Sequence, residues 1–347
     1  MHGPLSRVEG KIALINACCL AGLFALCTAC GSDDSSEDKV YVFKYSNSQS
    51  DTHPRSKSMF LFKDDLEERT DGRITVELYT SGVLGTEGEV FDLVKEGEVV
   101  QGARGGLFEH ANKMFLLYTL PFMFEDTNQV LTLMRSSFGE KINRGASENG
   151  LYIPVTGVAG GFRNITNNVR PIAAVEDLEG LKMRTPPIDV TLRTFEELGA
   201  TPTEVAYTET YLALENGVVD GQENPFSNIV DMKFYEVQDY LSIVNWQIHP
   251  DPFYVNPDWY DSLPEDLQEE FDAAAEAAME YSDETWLESE NGYLETLQDE
   301  EGLEVNTLSS EGREGFVEAV RPVWDYYVEQ DYFTWDDIEE AQDIIGG

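Results

Sequence analysis

Residues 207–225 read YTETYLALENGVVDGQENP. Thr208 to Asn216 has helical spacing with a hydroxyl to cap it, and Gly217 supplies the stop. Just upstream, Lys182-Met183-Arg184 is strand-like before Pro186-Pro187. Asp189 to Leu198 has the spacing of a helix, Gly199 ends it, and Ala200 to Val205 is extended. Strand, helix, strand, helix in so short a span predicts α/β architecture.

The pattern extends outward in both directions. Val40 to Tyr45 reads as a mostly buried strand, and Met59 to Arg69 as a helix. Asp71-Gly72 turns the chain into the alternating strand Ile74 to Tyr79. Ser81-Gly82 begins the next turn, and Glu87 to Glu96 makes a helix that Gly97 caps. Leu151 to Gly157 is strand-like, although Pro154 weakens it. Val175 to Leu178 opens a short turn. Helical spacing runs from Gln268 to Glu290 with a very acidic outer face, and again from Glu314 to Tyr327, where Pro322 predicts a kink. No fixed-period repeat occurs.

The chain has 347 residues, of which 41% are hydrophobic and 11% aromatic, enough for one large or two medium domains with real cores. Sixty-six Asp and Glu against 23 Lys and Arg give a formal charge of −43. That charge excludes most nucleic-acid binders, which need a basic face for phosphates. It suits a secreted protein adapted to salt, where screening shortens the reach of self-repulsion.

Arg7 and Lys11 precede an apolar run from Ile12 to Cys30, broken only by Asn16, Gly22 and Thr28. This is the layout of a secretory signal, residues 1–29, and it is marginal for a membrane span. Cys27-Thr28-Ala29-Cys30 and the polar linker of residues 30–39 resemble a bacterial lipobox, which implies cleavage before Cys30 and lipidation of that cysteine. A plain cleaved signal with Cys30 as a spare thiol is the alternative. All four cysteines (Cys18, Cys19, Cys27, Cys30) fall in or beside this leader, so the body has no thiol for a disulfide, a zinc site or a nucleophile. The expected location is the periplasm or cell exterior, tethered to the membrane.

Catalytic templates are missing: no Gly-x-Ser-x-Gly, no His-Glu-x-x-His and no Walker loop occurs. His2, His53, His110 and His249 are scattered, and Gly105-Gly106 lacks dinucleotide-loop spacing. The sequence therefore calls for no cofactor, no metal and no catalytic residue, although aspartates can hold calcium without a visible motif. Two arginines stand out instead, Arg163 in the loop Gly160 to Asn168 and Arg184 before Pro186-Pro187, both at strand ends in polar loops. In so acidic a chain the bland role of an arginine is a surface ion pair. A guanidinium held rigidly in such a loop is also well suited to grip a carboxylate in bidentate fashion.

These segments carry a resemblance. Leu181 to Pro186, Tyr211 to Leu214 continuing through Val219 to Pro225, Leu263 to Gln268, Asp71 to Ile74 and Ser81 to Gly85 are similar to the extracytoplasmic solute-binding subunits of tripartite ATP-independent periplasmic (TRAP) transporters, in the branch named for four-carbon dicarboxylates. The resemblance covers about Val40 to Val328. It implies two α/β domains, 40–160 plus 250–289 and 161–249 plus 290–347, joined by crossing strands and a long helix, with a ligand cleft between them. It implies capture of a small organic acid, a dicarboxylate or a sugar acid, and delivery to small and large integral membrane subunits for ion-coupled uptake.

By the same resemblance, Arg184 is the main carboxylate clamp, Arg163 a second charged contact, Asn224 a hydrogen-bonding partner and Tyr207 an aromatic wall. Asn47 and Trp246 belong at the pocket's edge. Asp220 and Glu223 would repel an anion and are expected to fix the interdomain turn. Arg104 stands near the position where sialic-acid-binding relatives carry a carboxylate. It either enters the pocket to meet a second anionic group or a hydroxyl, or lies outside as a surface cation. Two rivals stay open: a secreted enzyme using paired carboxylates on acidic sugars, and a ligand-sensing lipoprotein.

Overall fold

The chain, described by a computed structural model over residues 39–299 and 302–346, begins its first strand where apolar residues alternate inward. The signal segment, Cys30 and the linker up to residue 38 lie outside the described residues. Tyr41, Phe43 and Tyr45 of β1 (Tyr41–Ser46) point into one core. The helix that follows, Pro54–Arg69, starts earlier than Met59 because His53 caps it, its Nδ1 accepting from the Arg55 amide, and Pro54 fits the first turn. β2 (Ile74–Tyr79) returns parallel to β1. Helix Glu87–Glu96 opens on a reciprocal capping pair, Thr86 with Glu89, and closes on Gly97 at φ 72°.

Two short strands follow, β3 (Gly102–Arg104) and β4 (Thr156–Val158). Residues 151–155, expected as part of a strand, contribute only an isolated bridge from Tyr152 to Val255. The chain then builds β5 (Asn164–Asn167), β6 (Lys182–Thr185), β7 (Thr201–Glu204), β8 (Gly221–Asn224) and β9 (Tyr240–Ile243). β10 (Pro250–Val255) and β11 (Glu304–Thr307) complete the described strands. Thr208 to Asn216 divides into a 3-10 turn, Tyr207–Glu209, and a helix, Thr210–Glu215, with no side-chain cap.

The strands form two mixed sheets, ordered β2-β1-β3-β10-β4 and β11-β9-β5-β8-β6-β7. The fold is thus α/β in two halves, each built on one mixed sheet, with a cleft between them and one long helix that packs in the cores of both. The chain crosses from the first sheet to the second between β4 and β5, and returns between β9 and β10. The two crossing segments bond to each other: the Ala159 amide donates to the His249 carbonyl at 2.9 Å, and the Arg163 amide to the Gln247 carbonyl at 2.8 Å.

The long helix, Glu265–Asp299, runs 35 residues, about 50 Å at 1.5 Å per residue. Its first half buries Leu267, Phe271 and Met279 in the core of Phe43, Phe62 and Phe253; near its far end Leu297 joins Leu214, Phe226 and Leu241. The expected kinked helix near the C-terminus is two helices, Ser310–Ala319 and Arg321–Glu329. Pro322 has no amide hydrogen to continue the first and sits in the opening turn of the second.

Candidate ligand-binding site

The site is set by the register of β5, β6 and β8. β5 and β8 run antiparallel, pairing Asn164 with Asn224 and Ile165 with Glu223, while β6 sets Arg184 opposite Gln222. These strands end at a cavity of about 320 Å³ that opens between the two sheets. The second-sheet side contributes Arg163, Arg184, Tyr207, Asn224 and Asn228. From the first-sheet side come Gln49, Arg55, Glu87 and Phe108, and His249 enters from a crossing segment.

Arg184 is 1% exposed, and its Nε donates to the Val205 carbonyl at 2.9 Å. Among the described residues no carboxylate lies within 4 Å of its guanidinium. Burial, joined by the neighbouring Arg163 and opposed by Glu223, pulls its pKa down to about 10. A buried cation without a counter-ion is costly, so this position is poised for an anion.

Arg163 differs, because its charge is already matched. Its Nε and Nη2 grip both oxygens of the fully buried Glu223, and Nη2 also donates to Asn224 Oδ1 at 3.1 Å. Asn224 in turn donates from Nδ2 to Gln222 Oε1 at 2.6 Å. Asp220 lies off the cavity, its Oδ2 accepting the Lys182 amide at 2.8 Å. Tyr207 lines the cavity, and its buried hydroxyl lacks a hydrogen-bond partner; burial and the nearby Asp231 hold its pKa far above the usual phenol range.

Three residues expected at the pocket do not line this cavity. Asn47 braces the loop after β1, accepting the Gln49 amide at 2.7 Å and donating to Ser56 Oγ at 3.1 Å. Trp246 is 2% exposed and packs edge-on against Phe195 with ring centres 5.5 Å apart. Arg104 follows neither alternative drawn for it. Buried behind the first-sheet wall, it donates to Asp251 Oδ2 at 2.5 Å, Ser58 Oγ at 2.7 Å and Ser282 Oγ at 3.2 Å.

Several lining residues escaped sequence reasoning, Arg55, Glu87, His249 and Asn228 among them. Arg55 sits in the first turn of its helix and donates to Asp251 Oδ2 at 2.9 Å and Gln49 Oε1 at 2.7 Å. Glu87 opens the next helix, accepting Ser48 Oγ at 2.8 Å and the Gly106 amide at 3.1 Å, with Arg55 Nη1 3.9 Å away. His53-Pro54 was the signal that would have placed Arg55 at a helix start. His249 is held neutral by burial and by three arginines, Arg163, Arg184 and Arg55, and its Nε2 pairs with Gln247 Oε1 at 2.7 Å. Asn228 follows β8 on the short helix Phe226–Asp231. No group of three His, Cys, Asp or Glu among the described residues is arranged for a metal ion.

A cavity walled by two mixed α/β halves that two crossing segments join is the arrangement of a bilobal solute-binding protein. The chain belongs to the bacterial extracellular solute-binding protein family 7, whose family model matches residues 45–331. It is 32% identical over 292 residues to the C4-dicarboxylate-binding periplasmic protein DctP of Vibrio cholerae, covering 82% of this chain and 85% of that one. Among solved structures, it is similar to the sugar acid binding protein DctPAm of Advenella mimigardefordensis in complex with galactonate (TM-score 0.84, 27% identity, 89% and 98% of the two chains). It is also similar to a TRAP periplasmic solute-binding protein of Shewanella oneidensis with bound succinate (TM-score 0.83, 25% identity, 88% and 99%). The chain is accordingly a TRAP-type solute-binding protein of the periplasmic, extracellular class.

Proposed function

We propose that this protein captures a small organic acid by closing its two halves over it, with the ligand carboxylate seated on Arg184. The halves are residues 40–160 plus 250–289 and residues 161–249 plus 290–347, and hinge motion at the crossing segments admits and releases the ligand. The loaded form hands the acid to the two integral membrane subunits of a TRAP transporter, and no bond is made or broken. Cleavage before Cys30 and lipidation of that cysteine tether the protein outside the membrane.

One observation carries this reading: Arg184 is a buried guanidinium in the cavity wall with no carboxylate partner among the described residues. Arg163 and Asn224 act beside it, Arg163 held in place by Glu223 rather than free to move to the ligand. The succinate and galactonate bound by relatives are both carboxylates, which supports the same chemistry here. Calorimetric titration tests it with acids paired to neutral counterparts, D-glucuronate with D-glucose and succinate with 1,4-butanediol. The reading expects binding of at least one acid and no binding of its neutral counterpart. Binding of neutral sugars alone would overturn it.

A further inference from the structure

We propose that the site selects a singly charged acid bearing hydroxyl groups and turns away dicarboxylates, with Glu87 as the residue that makes the distinction. This rests on the reading of Arg184 as the carboxylate clamp. It follows from how the buried charges at and behind the cavity are matched.

Arg104 and Arg55 both donate to Asp251 Oδ2, at 2.5 and 2.9 Å, and Arg55 continues to Glu87 at 3.9 Å. That chain of two guanidiniums and two carboxylates is neutral as a unit. Arg163 and Glu223 form a second neutral unit. One cation remains unmatched, Arg184, and one ligand carboxylate satisfies it. A second carboxylate would enter a low-dielectric cavity with no cation left for it and with Glu87 on the opposite wall. Glu204 at the exposed rim adds a further negative charge.

The remaining polar lining suits neutral hydroxyls. Tyr207 lines the cavity and carries a buried, unpartnered hydroxyl, Glu87 brings carboxylate oxygens, and Gln49 and Asn228 line the same space. A hydroxyl can donate to a carboxylate and accept from an amide or a phenol, so a polyhydroxy monoacid can use each of these groups. A dicarboxylate can use only the donors.

The test compares ligands that differ by one charge at nearly constant size: succinamate against succinate, and D-gluconate against D-glucarate, titrated into wild type and Glu87→Gln. The singly charged member of a pair should bind wild type about tenfold more tightly or better, and Glu87→Gln should narrow that gap about tenfold by admitting the diacid. A readout on wild type alone keeps the test independent of how the variant folds. Diacid affinity should rise as pH falls through the ligand's own second pKa, while monoacid affinity holds. Equal or tighter binding of the diacids by wild type at neutral pH would overturn the charge selection and leave the Arg184 clamp standing. Failure of all four ligands to bind would overturn the clamp and this inference together.

Discussion

Arg163 and Arg184 look alike in the sequence, each a cation in a polar loop near a strand end, yet they play opposite electrostatic parts. Glu223 neutralises the first, and nothing among the described residues neutralises the second. Glu223→Gln should therefore leave Arg163 buried against a neutral partner and lower stability by about 3 kcal/mol or more, read from denaturant midpoints. Retention of wild-type stability would mean that the pair contributes little. The sequence brought Arg184, Arg163, Asn224 and Tyr207 into view because they sit in quotable segments around β5, β6 and β8, and all four line the cavity. Partners were harder to see. Arg104 is satisfied by Asp251, 147 positions away, and Arg55 by the same carboxylate at a separation of 196. No local pattern encodes contacts of that range.

At the scale of elements, caps and prolines were legible and crossings were not. Gly97 ends its helix as read, and Pro322, read as a kink, marks the boundary between two helices. β10 begins at Pro250, and Pro252 falls within it, residues that ordinarily argue against a strand. It was invisible until its partners β3 and β4 were seen. The crossing segment shows similar long-range economy. Gly161 lies so close to the Glu290 carboxylate on the long helix that a Cβ there would overlap it. Burial pushes the Glu290 carboxyl up to about 7, and its Oε2 has no partner. The folded protein thus keeps this proton between pH 4.5 and 7 while the unfolded chain has lost it, so this group makes stability fall as pH rises through that window. Glu290→Gln should match wild type near pH 4 and exceed it above pH 7 by on the order of 1–3 kcal/mol. His249, whose pKa is depressed, drives the wild-type curve the other way, so the difference between the two proteins is the informative quantity. A constant difference across pH would contradict the assignment.

Across the whole molecule, a net charge of −43 sets the background against which the buried, unpaired Arg184 acts. Self-repulsion on this scale should make the melting temperature climb by several degrees or more between low and molar salt, as screening shortens to about 3 Å. A salt-independent melt would show that the acidic surface costs the fold nothing. The halves also meet at the cleft rim: Ser50, in the loop after β1, donates to Asp231 at the end of the helix after β8, and Gly82 packs close against Thr208. The two halves thus touch directly beside a cavity that stays open to solvent. The most direct test of that account is thermal unfolding of wild type and Arg184→Met, each alone and with the acid found by titration. Without ligand, the variant should melt at or above wild type, because an unpaired buried charge has gone. With ligand, wild type alone should shift upward by mass action. An equal upward shift in Arg184→Met would contradict the account, because the carboxylate would then be held elsewhere.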